Sequence, residues 1–139
     1  MQYADFVGQV QHRAQLDSQE AALSTSRATL ETLAERVQPG DAKNLAAQLP
    51  TEIGRHLERS DDADRFDLEE FYETVAERER VGEGERADVV YRSRVVIDVV
   101  DDAVDEGAIG AVRDGLPDEY AELFEFVEME GQTGPDSGG

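Results

Sequence analysis

At 139 residues the chain has the length of one ordinary domain with a real core, and 39% apolar residues keep it out of the disordered class. Its 33 acids against 13 bases leave a net charge of −20, and the bases are one lysine, Lys43, and twelve arginines. That balance argues against binding polyanions as a main role, and the lack of cysteine excludes disulfide and thiol chemistry.

Helical spacing begins at once. Phe6, Val10 and Ala14 recur at about 3.6 residues, and Leu30, Leu33 and Val37 do so in a second helix expected near 18–37, capped by Asp17 and Glu20. Gln38-Pro39-Gly40 is expected to stop it. Asp41 opens a short helix carrying Leu45, and Pro50 suits the first turn of another in which Ile53 and Leu57 share a face. The polar run RSDDADR, 59–65, reads as a linker. Asp67 then reads as an N-cap, with Glu70 reaching back and Phe66 stapled onto Phe71, for a helix that runs to about Arg80. A long helix near 85–104 carries Val90, Ile97, Val100 and Val104, and Glu106-Gly107 is expected to break it. A short helix holds Ile109 and Val112, Leu116-Pro117 opens the last one, and residues 129–139 read as a disordered tail.

The two halves of this series match. LPTEIGRHLE at 49–58 returns as LPDEYAELFE at 116–125. At an offset of 67, Arg27 falls on Arg94, Leu30 on Ile97, Leu33 on Val100, Leu49-Pro50 on Leu116-Pro117 and Glu52 on Glu119. At an offset of 65, Phe6 falls on Phe71, Val10 on Val75 and Arg13 on Arg78, so two residues are inserted near 81–86. The expected fold is all-α: a tandem pair of four-helix units, about eight helices, packed into one compact domain. The boundaries are 1–58 for the first unit, 59–65 for the linker and 66–128 for the second. Either unit alone would be marginal, which is a reason for them to pack together.

The segments DFVGQVQHRA, RATLETLAERV, AAQLPTEIG, DLEEFYETVAER and GLPDEYAELFE together resemble the small bacterial and archaeal proteins grouped as domain of unknown function 2267, over roughly residues 2 to 127. Haloarchaeal members resemble the chain most in composition. The resemblance implies an all-helical protein and brings no established activity and no catalytic residues.

Chemistry-bearing residues are few. Glu52 and His56 stand four apart, a spacing that puts a carboxylate and an imidazole on one helical face, where they suit a divalent ion or a proton transfer. The second half does not keep the pair, since His56 falls opposite Leu123, and a glutamate in a first helical turn is what the helix dipole favours anyway. His12 has no second ligand in view. The acid runs around Asp61-Asp62, Asp101-Asp102 and Asp105-Glu106 are what a chain this acidic shows at its surface, and VGEGE ends in acids that repel phosphate. Arg13, Arg27, Arg78 and Arg94 hold matching places, with Arg92 beside the last. They read as partners of acids, with Glu52 and Glu119 as candidates, and alternatively as an anion patch. A helix-turn-helix reading of 41–58 would offer Arg55, His56 and Arg59 to a groove, but the matching DEYAELFEFVE is acidic throughout.

Many acids, one lysine and modest aliphatic content point to a cytoplasm of molar salt, where the Debye length falls to about 3 Å. The opening MQYADFVGQVQHR has no secretory pattern, and Val95-Val96-Ile97 is far too short to span a bilayer. The expectation is a cytoplasmic, non-catalytic interaction module, monomer or weak homodimer, with an unidentified protein partner, no cofactor, no membrane and no nucleic acid as primary partner. The alternatives are a metal-dependent or acid/base enzyme using Glu52 and His56, and a transcription-associated regulator.

Overall fold

A computed structural model describes residues 1–58, 63–79 and 86–127 of the protein. Most of the expected linker, the inserted pair near 81–86, Asp61-Asp62, VGEGE, Arg59 and the tail lie outside the described residues. Among those described there are eight helices and no strand. They are α1 (Tyr3–Arg13), α2 (Gln19–Arg36), α3 (Pro39–Gln48), α4 (Thr51–Gly54), α5 (Leu68–Arg78), α6 (Arg86–Ala103), α7 (Glu106–Asp114) and a closing 3-10 helix (Asp118–Phe124). A 3-10 turn, Arg55–Leu57, continues α4.

Local signals set the helix ends, in places one residue away from the sequence expectation. Ser18, extended at φ −147°, caps α2 by accepting from the Ala21 amide at 3.1 Å, so the cap is this hydroxyl and not Asp17 with Glu20. Pro39 does not merely stop α2; it opens α3 as the first helical residue, where no amide hydrogen is needed. Asp67 caps α5 through the Glu70 amide at 2.8 Å, as expected. Asp105 caps α7 through the Ala108 amide, so Glu106-Gly107 lies inside that helix and the break falls one residue earlier. Between α1 and α2, Gln15 takes a left-handed φ of 56°, and the Leu16 amide reaches back to the Gln11 carbonyl at 2.9 Å. That is a helix stop of the kind glycine usually makes.

The core is organised around α2 and α6. On α6 every side chain from Val95 to Val100 is buried, and on α2 burial extends from Ala28 to Leu30 and Thr32 to Ala34. A helix buried nearly all round needs neighbours on every side. These come from both halves of the chain: α1 packs on α2 and α6, α5 packs on α2 and α6, and α3 lies against α7. Small side chains allow the approach, and Thr32 and Ser26 turn their hydroxyls back onto carbonyls of their own helix at 2.8 Å.

Ion pairs tie the sequence halves across this core. Arg13 on α1 donates to Asp98 at 2.7 Å and Asp102 at 2.5 Å on α6. Arg78 on α5 reaches Glu35 and the Thr32 hydroxyl on α2. Asp102 and Glu35 stand 67 positions apart, as Arg94 and Arg27 do. At the opposite end the Phe66 carbonyl accepts from Tyr120 Oη at 2.7 Å and Arg36 Nε at 2.8 Å, and Glu119 accepts from the Leu68 amide. Burial pushes Tyr120 up to about 12.

Asp98 is only 6% exposed, its Oδ1 has no hydrogen bond, and its Oδ2 is held by Arg13. Arg13→Ala should therefore lower the unfolding free energy by about 2–4 kcal/mol, because a buried carboxylate loses its partner. The double variant Arg13→Ala/Asp98→Leu should recover much of that in denaturant melts, and additive losses would contradict the pairing. A second test concerns Gly54. A Cβ there would stand 2.6 Å from the Ala46 carbonyl oxygen. Gly54→Ala should cost about 1–3 kcal/mol by forcing α4 off α3, read as a lower thermal midpoint.

Candidate binding cleft

A cleft of about 620 Å³ opens where the start of α1, the first turns of α2 and the Arg55–Leu57 turn meet. Tyr3 and Val7 of α1 and Leu23 of α2 form its apolar wall, and Arg27, Arg55 and His56 form its polar one. Glu20 is the acid on its rim. A smaller hollow of about 320 Å³ adjoins it, sharing Arg55 and His56 and reaching Glu31, Glu35 and Arg78.

The local winding explains the placement. Pro50 is extended at ψ 140°, α4 begins at Thr51, and after one turn the chain tightens to 3-10 geometry at Arg55. With about 3.0 residues per turn in place of 3.6, His56 rotates further round than an α-helix would carry it. The expected Glu52–His56 pair is accordingly not formed. Glu52 is exposed, and the carboxylate whose field reaches His56 is Glu31 on α2. Burial lowers the His56 pKa, and Arg55 and Arg27 lower it further against the opposing pull of Glu31. Among the described residues no group of three His, Cys, Asp or Glu side chains is placed to hold a metal ion. The 51–57 segment is also too short to lie along a DNA groove as a reading helix.

The repeated residues divide. Leu49 and Leu116 are buried, and Pro50 and Pro117 each precede a helical start. Glu119 does not pair with an arginine; it serves the amino end of α5 instead. Arg94 pairs with Glu122 at 3.1 Å and Glu125 at 3.0 Å, acids not singled out in the sequence. Arg92 is held by both oxygens of Glu79, at 2.8 and 3.0 Å, and Thr25 donates to the same carboxylate. Arg27 differs. Its one hydrogen bond among the described residues goes to the Arg78 carbonyl at 3.5 Å, and neither it nor Arg55 has a carboxylate within ion-pair distance there.

The positions 65 or 67 further on show what could have closed the cleft. There Tyr72 stands for Val7, Arg86 for Gln19 and Glu122 for Arg55. Tyr72 is buried with its hydroxyl 3.2 Å from Glu122, Arg86 lies 5.5 Å above the Tyr72 ring and holds Glu69 with two bonds, and Leu123 is fully buried. Burial and the nearby Glu122 push Tyr72 up to about 12. The signal for this contrast was present in sequence as Arg55 against Glu122 and His56 against Leu123. Its meaning depended on knowing that Arg27 and Arg94 face those positions.

The fold and this site define an all-helical protein, among the described residues, with two buried central helices and an open cleft that bears Arg27 and Arg55. Residues 3–123 match the family described as uncharacterized conserved protein DUF2267, and the chain belongs to it. No curated protein matches the chain. No helix among the described residues is long and apolar enough to cross a membrane.

Proposed function

We propose that the protein is a non-catalytic helical interaction module of a salt-adapted cytoplasm, of the haloarchaeal type within its family, built by duplication of a four-helix unit. It acts as a monomer or weak homodimer through the cleft between α1, α2 and the Arg55–Leu57 turn. The observation that carries this reading is the open cleft lined by two arginines that have no acid partner among the described residues, in a chain where acids are abundant. Groups with shifted ionisation support it. Against the opposing effect of burial, Asp102 and Asp98 raise Arg13, Glu79 raises Arg92, and burial raises Tyr72 and Tyr120, so these shifts have structural causes, whereas catalytic machinery gathers perturbed groups in one pocket. The duplication is supported by the paired offsets and by the reciprocal bridges of Arg13 and Arg78.

A photo-crosslinkable residue placed at Ala4, on the cleft, should label a bound partner in native lysate held at high salt. The same probe at Ala87, 67 positions on from Glu20, should label far less. Equal labelling at both positions, or multiple turnover of any metabolite, would overturn the module.

The acidic coat gives a separate test. In about 0.1 M salt the Debye length is about 10 Å and the surface carboxylates repel one another, whereas at about 1 M it is about 3 Å. The thermal midpoint should rise steeply between those salts, and equal midpoints would contradict salt adaptation.

A further inference from the structure

We propose that the cleft binds a small organic oxyanion with an apolar body, an aryl or alkyl phosphate or carboxylate. The oxyanion would sit between Arg27 and Arg55, and the apolar part would lie against Tyr3, Val7 and Leu23. This rests on reading the cleft as the working face of the module and names what it takes.

Three observations carry the assignment. First, a cleft of about 620 Å³ suits a small organic ligand, and its lining combines apolar side chains, Tyr3, Val7 and Leu23, with Arg27, Arg55 and His56. Second, Arg13, Arg78, Arg86, Arg92 and Arg94 each meet a carboxylate, whereas Arg27, Arg36, Arg55 and Arg65 meet none among the described residues, and of these four Arg27 and Arg55 line this cleft. Guanidinium groups present a planar fork of donors matched to carboxylate and phosphate oxygens, and most of these donors are unused on both side chains. Third, the matching place in the second half is closed by its own groups. Glu122 and Glu125 occupy Arg94, and the Tyr72 ring and Arg86 take the positions of Val7 and Gln19. The protein thus supplies in one half the very acid that the other half lacks.

The surrounding acids narrow the ligand. Glu20 is on the rim and Glu31 lies in the field of His56, so a polyphosphate or nucleic acid would meet repulsion as soon as it extended beyond the two arginines. A single oxyanion on an apolar group avoids that.

The test is a titration of the full chain, at the lowest salt that keeps it folded, followed by NMR of the Arg27 and Arg55 Nε–H resonances. Phenyl phosphate and phenylacetate are the probes and 2-phenylethanol is the neutral control. Saturable shifts with either anion, absent with the alcohol, are expected, and the two arms separate phosphate from carboxylate preference. Arg55→Glu should weaken the affinity by about tenfold to a hundredfold, the loss of one charge-assisted pair. This variant gives Arg27 the kind of partner that Glu122 gives Arg94, so its thermal midpoint should not fall. Arg94→Gln, outside the cleft, should leave the affinity within about threefold. No saturable shift with either anion would overturn the assignment, as would equal shifts with the alcohol, binding indifferent to Arg55→Glu, or binding of an acidic peptide where both small anions fail. The Ala4 labelling and turnover tests above are independent of this result, so the module can survive the loss of its oxyanion.

Discussion

The structure depends on one constraint: α2 and α6 are too apolar around their circumference to be covered by the helices next to them in sequence. A surface helix buries one stripe, and its neighbour in a hairpin suffices. Here Val95 to Val100 are buried without a gap, so α6 requires α1 from the other half as well as α5 from its own. The same demand on α2 draws in α5. Once the helices interleave in this way, neither half keeps a complete core if separated. The bridges from Arg13 to α6 and from Arg78 to α2 follow from the interleaving, because each arginine emerges at the end of a helix lying across the opposite long one. These bridges fix orientation more than they add stability, since burying Asp98 sets a desolvation cost against the attraction.

Much of the helical plan was legible in the sequence, for physical reasons that also explain the failures. Asp67 marks a helix start by local chemistry that the sequence shows directly, whereas Pro39 and Asp105, which open α3 and α7, lose out in a sequence reading to Asp41 and Glu106-Gly107. The periodicity of Phe6, Val10, Leu30 and Leu33 reports burial because each of these faces the core. What could not be read was anything set by the angle between helices. Asp98 sits in VVIDVV, a lone acid within an apolar run, and that run is a signal of burial with a partner. The partner, Arg13, is 85 positions away, and no local pattern names it. Glu52 and His56 failed for the opposite reason. Their spacing is meaningful only while the winding stays α-helical, and the chain tightens at Arg55.

The charge distribution sets two demands against each other. Most of the 33 acids serve hydration and mutual repulsion, and among the described residues six arginines, Arg13, Arg78, Arg86, Arg92, Arg94 and Arg113, are drawn into bridges. Arginine suits that role because its fork holds two oxygens at once, as Arg92 holds Glu79 and Arg86 holds Glu69. The single lysine, Lys43, is exposed and takes no part in the bridges found among the described residues. In such a setting an arginine left without an acid costs stability that the chain could have recovered by one substitution. Arg27 and Arg55 stand side by side in that condition.

If the two halves arose by duplication, as proposed, their faces began equal, and a face that carries no function is free to be filled. Filling it gains a ring contact and ion pairing: Arg86 lies over the Tyr72 ring at the place that matches Val7, and Glu122 pairs with Arg94 at the place that matches Arg55. On ion pairing alone the first half would take the same route, because Gln19 and Arg55, the positions that match Arg86 and Glu122, are exposed. One face is sealed and the other is open, and the proposed binding reading rests on that contrast. The polarity of the difference supports the same conclusion. The unsealed face has a base, the exposed Arg55, where the sealed one has Glu122, against the overall charge of the chain, and in the proposed reading that base meets a bound anion.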